Sequence, residues 1–171
     1  MHEGLSPGRI ALIGIMGAGK TRIGEMLAGQ LGLSSIDTDS SVAQRRGRPV
    51  SQIFSEEGEA EFRRLETQAL EEAVKGEGVV IACGGGIVEL PRNRELLQRC
   101  TVVYLKVSPE TAAIRCGNGA GRPKLRSPVA TSIVALLDAR EPLYERTADL
   151  TVDAEQPEDD VVQQIMQGLQ L

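Results

Sequence analysis

The sequence predicts an α/β protein, a parallel sheet with helices on both faces. Three observations point there. Short continuous apolar runs alternate with segments whose apolar residues recur at helical spacing. The first run leads straight into Gly14-Ile15-Met16-Gly17-Ala18-Gly19-Lys20-Thr21, a G-x-x-x-x-G-K-[ST] loop that opens a helix. The chain has 171 residues and is 41 % hydrophobic, which suits one domain, residues 1–171, with a substantial core.

In chain order, Ile10 to Ile13 reads as a short buried strand. The loop follows, and its glycines let backbone N–H groups turn inward toward a polyphosphate. The positive end of the next helix, with Ile23, Met26 and Leu27 on one face, adds to that field. Lys20 is placed to reach β- and γ-phosphates, and the Thr21 hydroxyl to ligate Mg²⁺. Gly29 to Gly32 closes the helix, and Leu33 to Ile36 forms a second strand running into Asp37-Thr38-Asp39. Residues i and i+2 of a strand share a face roughly 6.6 Å apart, so both carboxylates are expected to point one way. One would serve Mg²⁺ and the other an acceptor hydroxyl. Read alone, either could equally cap a helix starting near Ser40.

Residues 42–75 read as three helical pieces, 42–46, 50–57 and 59–75, the last with Phe62, Leu65, Ala69 and Ala73 in a stripe. Arg63 has Glu59 and Glu66 at helical spacing and on its own residues looks like a surface ion-pair partner. Val79 to Cys83 is a third strand, ending in Gly84-Gly85-Gly86. Three glycines there allow close approach of substrate or neighbouring backbone, or mark a plain strand exit. Pro91 to Arg99 is a helix, Thr101 to Val107 a fourth strand, and Ser108 caps a helix reaching Cys116. Residues 117–124, with Gly117, Gly119 and Gly121 before Arg122 and Lys124, suit either a mobile flap or a solvated linker. A helix is expected from near Ser127 to Arg146, interrupted at Pro142, then a strand over Leu150 to Asp153. Pro157 opens a terminal amphipathic helix.

Composition narrows the class. Net charge is −5 and only four residues are aromatic, which argues against nucleic acid or an acidic membrane as partner. No apolar run approaches the length of a membrane span, and residues 1–9 hold no apolar core of a secretory signal. The three cysteines, Cys83, Cys100 and Cys116, are widely spaced and read as reduced thiols of a cytoplasmic protein. His2 is the sole histidine, which excludes histidine triads and His-rich metal sites. Among phosphate-loop proteins, a GTPase would carry N-K-x-D, yet Asn93 and Asn118 are the only asparagines and neither precedes lysine. A motor-type ATPase would end a buried strand in an acidic residue, where this chain has Gly84. A kinase for a small metabolite is left as the favoured class.

With Phe62-Arg63-Arg64-Leu65-Glu66, Arg122-Pro123 and Arg140-Glu141-Pro142-Leu143-Tyr144 added to the loop, Asp-Thr-Asp and the glycine run, residues 8–170 resemble the shikimate kinase family. The resemblance implies a P-loop α/β/α fold of nucleoside-monophosphate-kinase type, with a five-stranded parallel sheet, a mobile lid near 117–126 and an acceptor-binding helical segment near 40–75. It implies transfer of the ATP γ-phosphoryl group to the 3-hydroxyl of shikimate in aromatic amino acid biosynthesis, by a cytoplasmic monomer. It further implies that Gly17, Ala18, Gly19, Lys20, Thr21 and Arg22 hold phosphates, with Arg115 and Pro157 toward the adenine. Thr21 and Asp37 would organise Mg²⁺, and Asp39 would be the base. Arg63 and Arg140 would grip the carboxylate, Gly84, Gly85 and Gly86 would meet the ring, and Arg122 would neutralise the moving phosphoryl. Two positions depart from the family pattern: Arg22 stands where Ser or Thr is usual, and Lys124 where the lid is commonly apolar. A gluconate kinase and a non-catalytic nucleotide-binding domain are the rival readings.

Overall fold

A computed structural model describes residues 8–124 and 128–171. His2, Ser127 and the last two residues of the expected lid lie outside them. Five strands, β1 (Arg9–Ile13), β2 (Ser34–Asp37), β3 (Val79–Ala82), β4 (Thr101–Lys106) and β5 (Leu150–Asp153), form one parallel sheet in the order β2-β3-β1-β4-β5. Leu12 of the central strand pairs with Ala82 on one side and Val103 on the other. The three inner strands, β3, β1 and β4, carry continuous apolar runs because the middle of the sheet is covered on both faces; Ile10 to Ile13 are fully buried.

The helices are α1 (Lys20–Leu31), α2 (Thr38–Arg46), α3 (Val50–Glu57), α4 (Glu59–Ala73), α5 (Pro91–Leu97), α6 (Pro109–Cys116), α7 (Val129–Thr147) and α8 (Glu158–Leu169), with a 3₁₀ turn at Ile87–Glu89. The main core surrounds the sheet. A second, smaller core joins α2, α3 and α4 through Val42, Ile53, Phe62, Leu65 and Ala69, with Phe54 packed on it. On one side of β1 the chain visits β2, the small helical unit and β3; on the other it visits β4 and β5. Ligands of open α/β sheets bind where the order reverses, at the carboxyl ends of the strands, and β1 ends there in the phosphate loop.

Element order agrees with the sequence reading, and most boundaries move by a residue or two. Two expectations need correction. β2 ends at Asp37 and α2 begins at Thr38, so Asp39 sits in a first helical turn rather than two places along a strand. Asp37 accepts from the Ser40 N–H (2.9 Å), which starts the helix early. Secondly, α7 runs unbroken through Pro142. Proline removes one backbone bond and crowds the preceding turn, but Pro142 and Asp138, whose carbonyl loses its donor, both face solvent. On the opposite face Ile133, Leu137, Arg140 and Tyr144, spaced at one helical stripe, are buried and keep the helix continuous.

Candidate active site

The phosphate loop is shaped by close backbone approach. Gly17 has φ of 85°, and a Cβ on it would lie 2.8 Å from the Ala112 carbonyl oxygen and 3.1 Å from Cys116 Sγ. No other residue fits that combination without moving α6. Lys20 heads α1 and curls back so that Nζ donates to Gly14 O (2.7 Å) and Ile15 O (3.0 Å). Burial pulls its pKa down to about 8, against the opposing pull of the Asp39 and Asp37 carboxylates. Thr21 Oγ1 donates to Asp37 Oδ2 (2.5 Å). Asp37 thus serves both the helix cap and the loop hydroxyl.

Each residue of Asp37-Thr38-Asp39 has its own task. Thr38 Oγ1, fully buried, accepts from the Gly84 N–H at 2.9 Å and pins the glycine run to α2. Asp39 turns toward Lys20 and Arg63, and its Oδ1 is a buried acceptor without a partner among the described residues. Burial, then the nearby Asp37 charge, raises its pKa, with Lys20 and Arg63 pulling the other way.

The glycine triplet makes room for the protein's own charged side chains. A Cβ on Gly84 would come within 2.5 Å of Glu66 Oε1 and 2.6 Å of Asp39 Oδ1. One on Gly85 would meet Arg140 Nη1 at 3.3 Å, and one on Gly86 would overlap the Arg63 guanidinium. Neither a plain strand exit nor backbone packing describes this. The end of β3 is bare so that acids and guanidiniums from α2, α4 and α7 can converge on it.

Arg63 is no ordinary surface residue. Its side chain is 12 % exposed and meets Glu66 (2.8 Å), Glu89 (3.1 Å) and Glu59 (3.6 Å). Burial of Glu66 lifts its carboxyl to about 7, the Arg63 charge opposing and the Asp39 charge adding. Arg140, 1 % exposed, reaches the same place from α7, donating from Nε to Glu89 Oε1 at 3.0 Å. Four residues after it, Tyr144 Oη donates to Gly85 O (2.5 Å) while its ring stacks on Tyr104. The sequence-predicted arginines therefore come together. Thr38, Glu89 and the Tyr144 hydroxyl were missed as site components; Tyr144 lay inside a quoted motif, whereas nothing in the local pattern marks Glu89.

Arg115 donates to Gly17 O (3.2 Å) and Ala154 O (3.1 Å), tying α6 to the loop and to the end of β5. Arg22 pairs with Glu158 (3.3 Å) on the surface, which sets the start of α8 and the neighbouring Pro157 beside α1. Pro157 itself lines neither cavity described next. Before Arg122, Gly117, Gly119 and Gly121 all have φ between 60° and 77°. Lys124 Nζ pairs with Glu59 (2.6 Å) and lies 6.0 Å over the Phe54 ring, so the flap rests on α3 and α4.

Two cavities meet at this spot. One, of about 380 Å³, is lined by the phosphate loop, Asp37 and Arg115. The other, of about 210 Å³, is lined by Phe54, Phe62, Arg63, Glu66 and the flap. Asp39, Gly85 and Arg122 line both.

Comparison with known proteins agrees with this geometry. The family model described as shikimate kinase matches residues 16–170. A shikimate kinase of Moorella thermoacetica is 45 % identical over 150 residues, spanning 87 % of this chain and 86 % of that one. Among solved structures, shikimate kinase from Acinetobacter baumannii in complex with shikimate superposes with a TM-score of 0.93 at 36 % identity, covering 96 % and 93 % of the two chains. A gluconokinase from Sinorhizobium meliloti, at 21 % identity and a TM-score of 0.63 over 96 % of this chain and 92 % of that one, shares the fold.

Proposed function

The chain belongs to the shikimate kinase family, and from that premise we propose how its residues divide the work of moving the γ-phosphoryl group of ATP to the 3-hydroxyl of shikimate. The observation that carries the reading is the shared wall of the two cavities: an acid, a backbone strip and a cation stand between a phosphate-binding loop and a cleft lined by Arg63. Phosphoryl transfer asks for alignment and charge neutralisation more than for covalent chemistry. Lys20 and the loop amides hold the polyphosphate, and Arg122 supplies charge from the flap side. Asp39, beside the acceptor, receives the hydroxyl proton. Its raised pKa makes it a better base than a solvated aspartate while leaving it ionisable. Arg63 and Arg140 bind the acceptor carboxylate through planar donors that suit it, and the glycine run contacts the ring.

Thr21 Oγ1 and Asp37 are adjacent hard-oxygen donors of the kind Mg²⁺ takes together with phosphate and water. Once bound, the ion would neutralise phosphate charge at that point. Among the described residues no group of three or more His, Cys, Asp or Glu gathers to hold a metal by itself, which fits an ion brought in with the nucleotide. Arg22, paired with Glu158, and Arg115 would border the nucleotide, with Pro157 toward the adenine. We take the enzyme to work as a cytoplasmic monomer without a nucleic-acid partner; the net charge of −5 supports the last of these. No described helix is long and apolar enough to cross a membrane.

The test is ADP release from ATP–Mg²⁺ with shikimate, with gluconate and with no acceptor. Shikimate-dependent release alone is expected. Release with gluconate instead, or tight ATP binding with no acceptor-dependent turnover, would overturn the assignment.

A further inference from the structure

Glu89 ends the 3₁₀ turn that follows the glycine run, and one carboxylate there spans two guanidiniums. Its Oε1 accepts from Arg140 Nε at 3.0 Å and its Oε2 lies 3.1 Å from Arg63 Nη2. The turn beneath it is fixed: Glu89 N donates to Gly86 O (3.1 Å), while Arg94 Nη1 donates to Val88 O (2.6 Å) and Glu89 O (3.1 Å). Arg63 is held on its other arm by Glu66, at 2.8 Å through Nη1. Arg140 Nη1 remains a buried donor without a partner among the described residues, next to Gly85 on the shared wall.

We propose that Glu89 is a positioning residue for the acceptor's carboxylate: it locks Arg63 and Arg140 into one preformed pair while leaving Arg140 Nη1 to the substrate. Two guanidiniums side by side repel each other, and each arginine has many rotamers to lose. A resident carboxylate opposes the first effect and settles the second before the substrate arrives, which is preorganisation. It does so from the Nε edge of Arg140, so it orients that donor set without consuming it. The proposal rests on the reading that these two arginines receive the acceptor's acid.

The test is steady-state kinetics of Glu89→Ala and Glu89→Gln with shikimate and ATP varied in turn, alone and combined with Arg140→Ala. Loss of one charge-assisted bond predicts roughly a tenfold or greater rise in shikimate KM for Glu89→Ala, with kcat and ATP KM within about threefold. Glu89→Gln is nearly isosteric and should fall between, because its amide oxygen serves one guanidinium while its NH₂ faces the other. In the Arg140→Ala background the same change should alter kcat/KM for shikimate clearly less than in the wild-type background, since only Arg63 is left for Glu89 to hold. A fall in shikimate KM would make Glu89 a competitor of the substrate and overturn the proposal. An unchanged KM in both variants, or a full effect that persists without Arg140, would overturn it too. If the wild-type protein turns over shikimate and only the Glu89 effects are missing, this inference alone fails. A wild-type protein without shikimate-dependent turnover removes the functional reading and this one with it.

Discussion

Glu66 should make the stability of this protein depend on pH in a window that one substitution erases. The carboxyl is 1 % exposed, accepts from Arg63 at 2.8 Å, and keeps one oxygen, Oε1, without a partner among the described residues. Burial carries its pKa from 4.5 to about 7. Between those values the folded chain binds more protons than the unfolded one, so stability falls as pH rises. At about 1.4 kcal/mol per pH unit, the whole descent is about 3 kcal/mol, and roughly 2–3 kcal/mol of it falls between about pH 5 and about pH 8. Glu66→Gln keeps the shape and cannot ionise. Whatever pH-independent cost it carries, its stability relative to wild type should rise by that amount between the two pH values. Urea unfolding followed by circular dichroism reads this directly; with a slope of roughly 2–3 kcal/mol per molar for a domain of this size, the variant's midpoint relative to wild type should rise by about 1 M across the window. A wild-type-to-variant difference that stays constant across the window would show that Glu66 ionises as an ordinary carboxyl, and the account of a costly buried acid would be wrong.

Other expectations follow from the same geometry. Asp39→Asn should lower kcat roughly 10²–10⁴-fold if the carboxylate takes the hydroxyl proton; a loss under about tenfold in a quenched-flow assay would leave it a positioning role. Gly86→Ala would drive a methyl into the Arg63 guanidinium, so shikimate KM should rise at least about tenfold with ATP affinity nearly unchanged; equal losses for both substrates would mean the sheet end itself had moved. Lys124→Gln removes the flap's ion pair to Glu59. Partly exposed pairs are worth up to about 1 kcal/mol, so kcat/KM should drop no more than about fivefold, and the drop should vanish in roughly 1 M salt. A salt-independent loss would place the effect in local packing instead.

Much of this was legible in the chain because its signals are local. An eight-residue loop between an apolar run and a helix has one common meaning, and buried parallel strands announce themselves as unbroken runs such as Val102 to Leu105. The sequence placed Arg63, Arg140 and the glycines in one site only through family resemblance; taken alone, Arg63 looked like half of a surface pair. What it hid was long-range. Glu89 acquires meaning because two guanidiniums from distant helices reach it, and no periodicity records that. Gly84 and Gly86 show their purpose once α2 and α4 are folded against β3. The error at Pro142 arose the same way: an intrinsic break is outweighed by a buried stripe whose partners lie elsewhere in the chain. Asp39 was expected on a strand and stands in a helical turn, since a cap at Asp37 begins the helix sooner than strand alternation suggests.

The continuity of α7 has a mechanical corollary. A rod of 19 residues, about 28 Å at 1.5 Å per residue, plants two feet, Arg140 and Tyr144, beside the glycine run that ends β3. Tilting it by even a few degrees would swing a guanidinium and a phenol in step. Displacement of the helix at its far end would thus be felt at the glycine run through a single strut, with no separate relay.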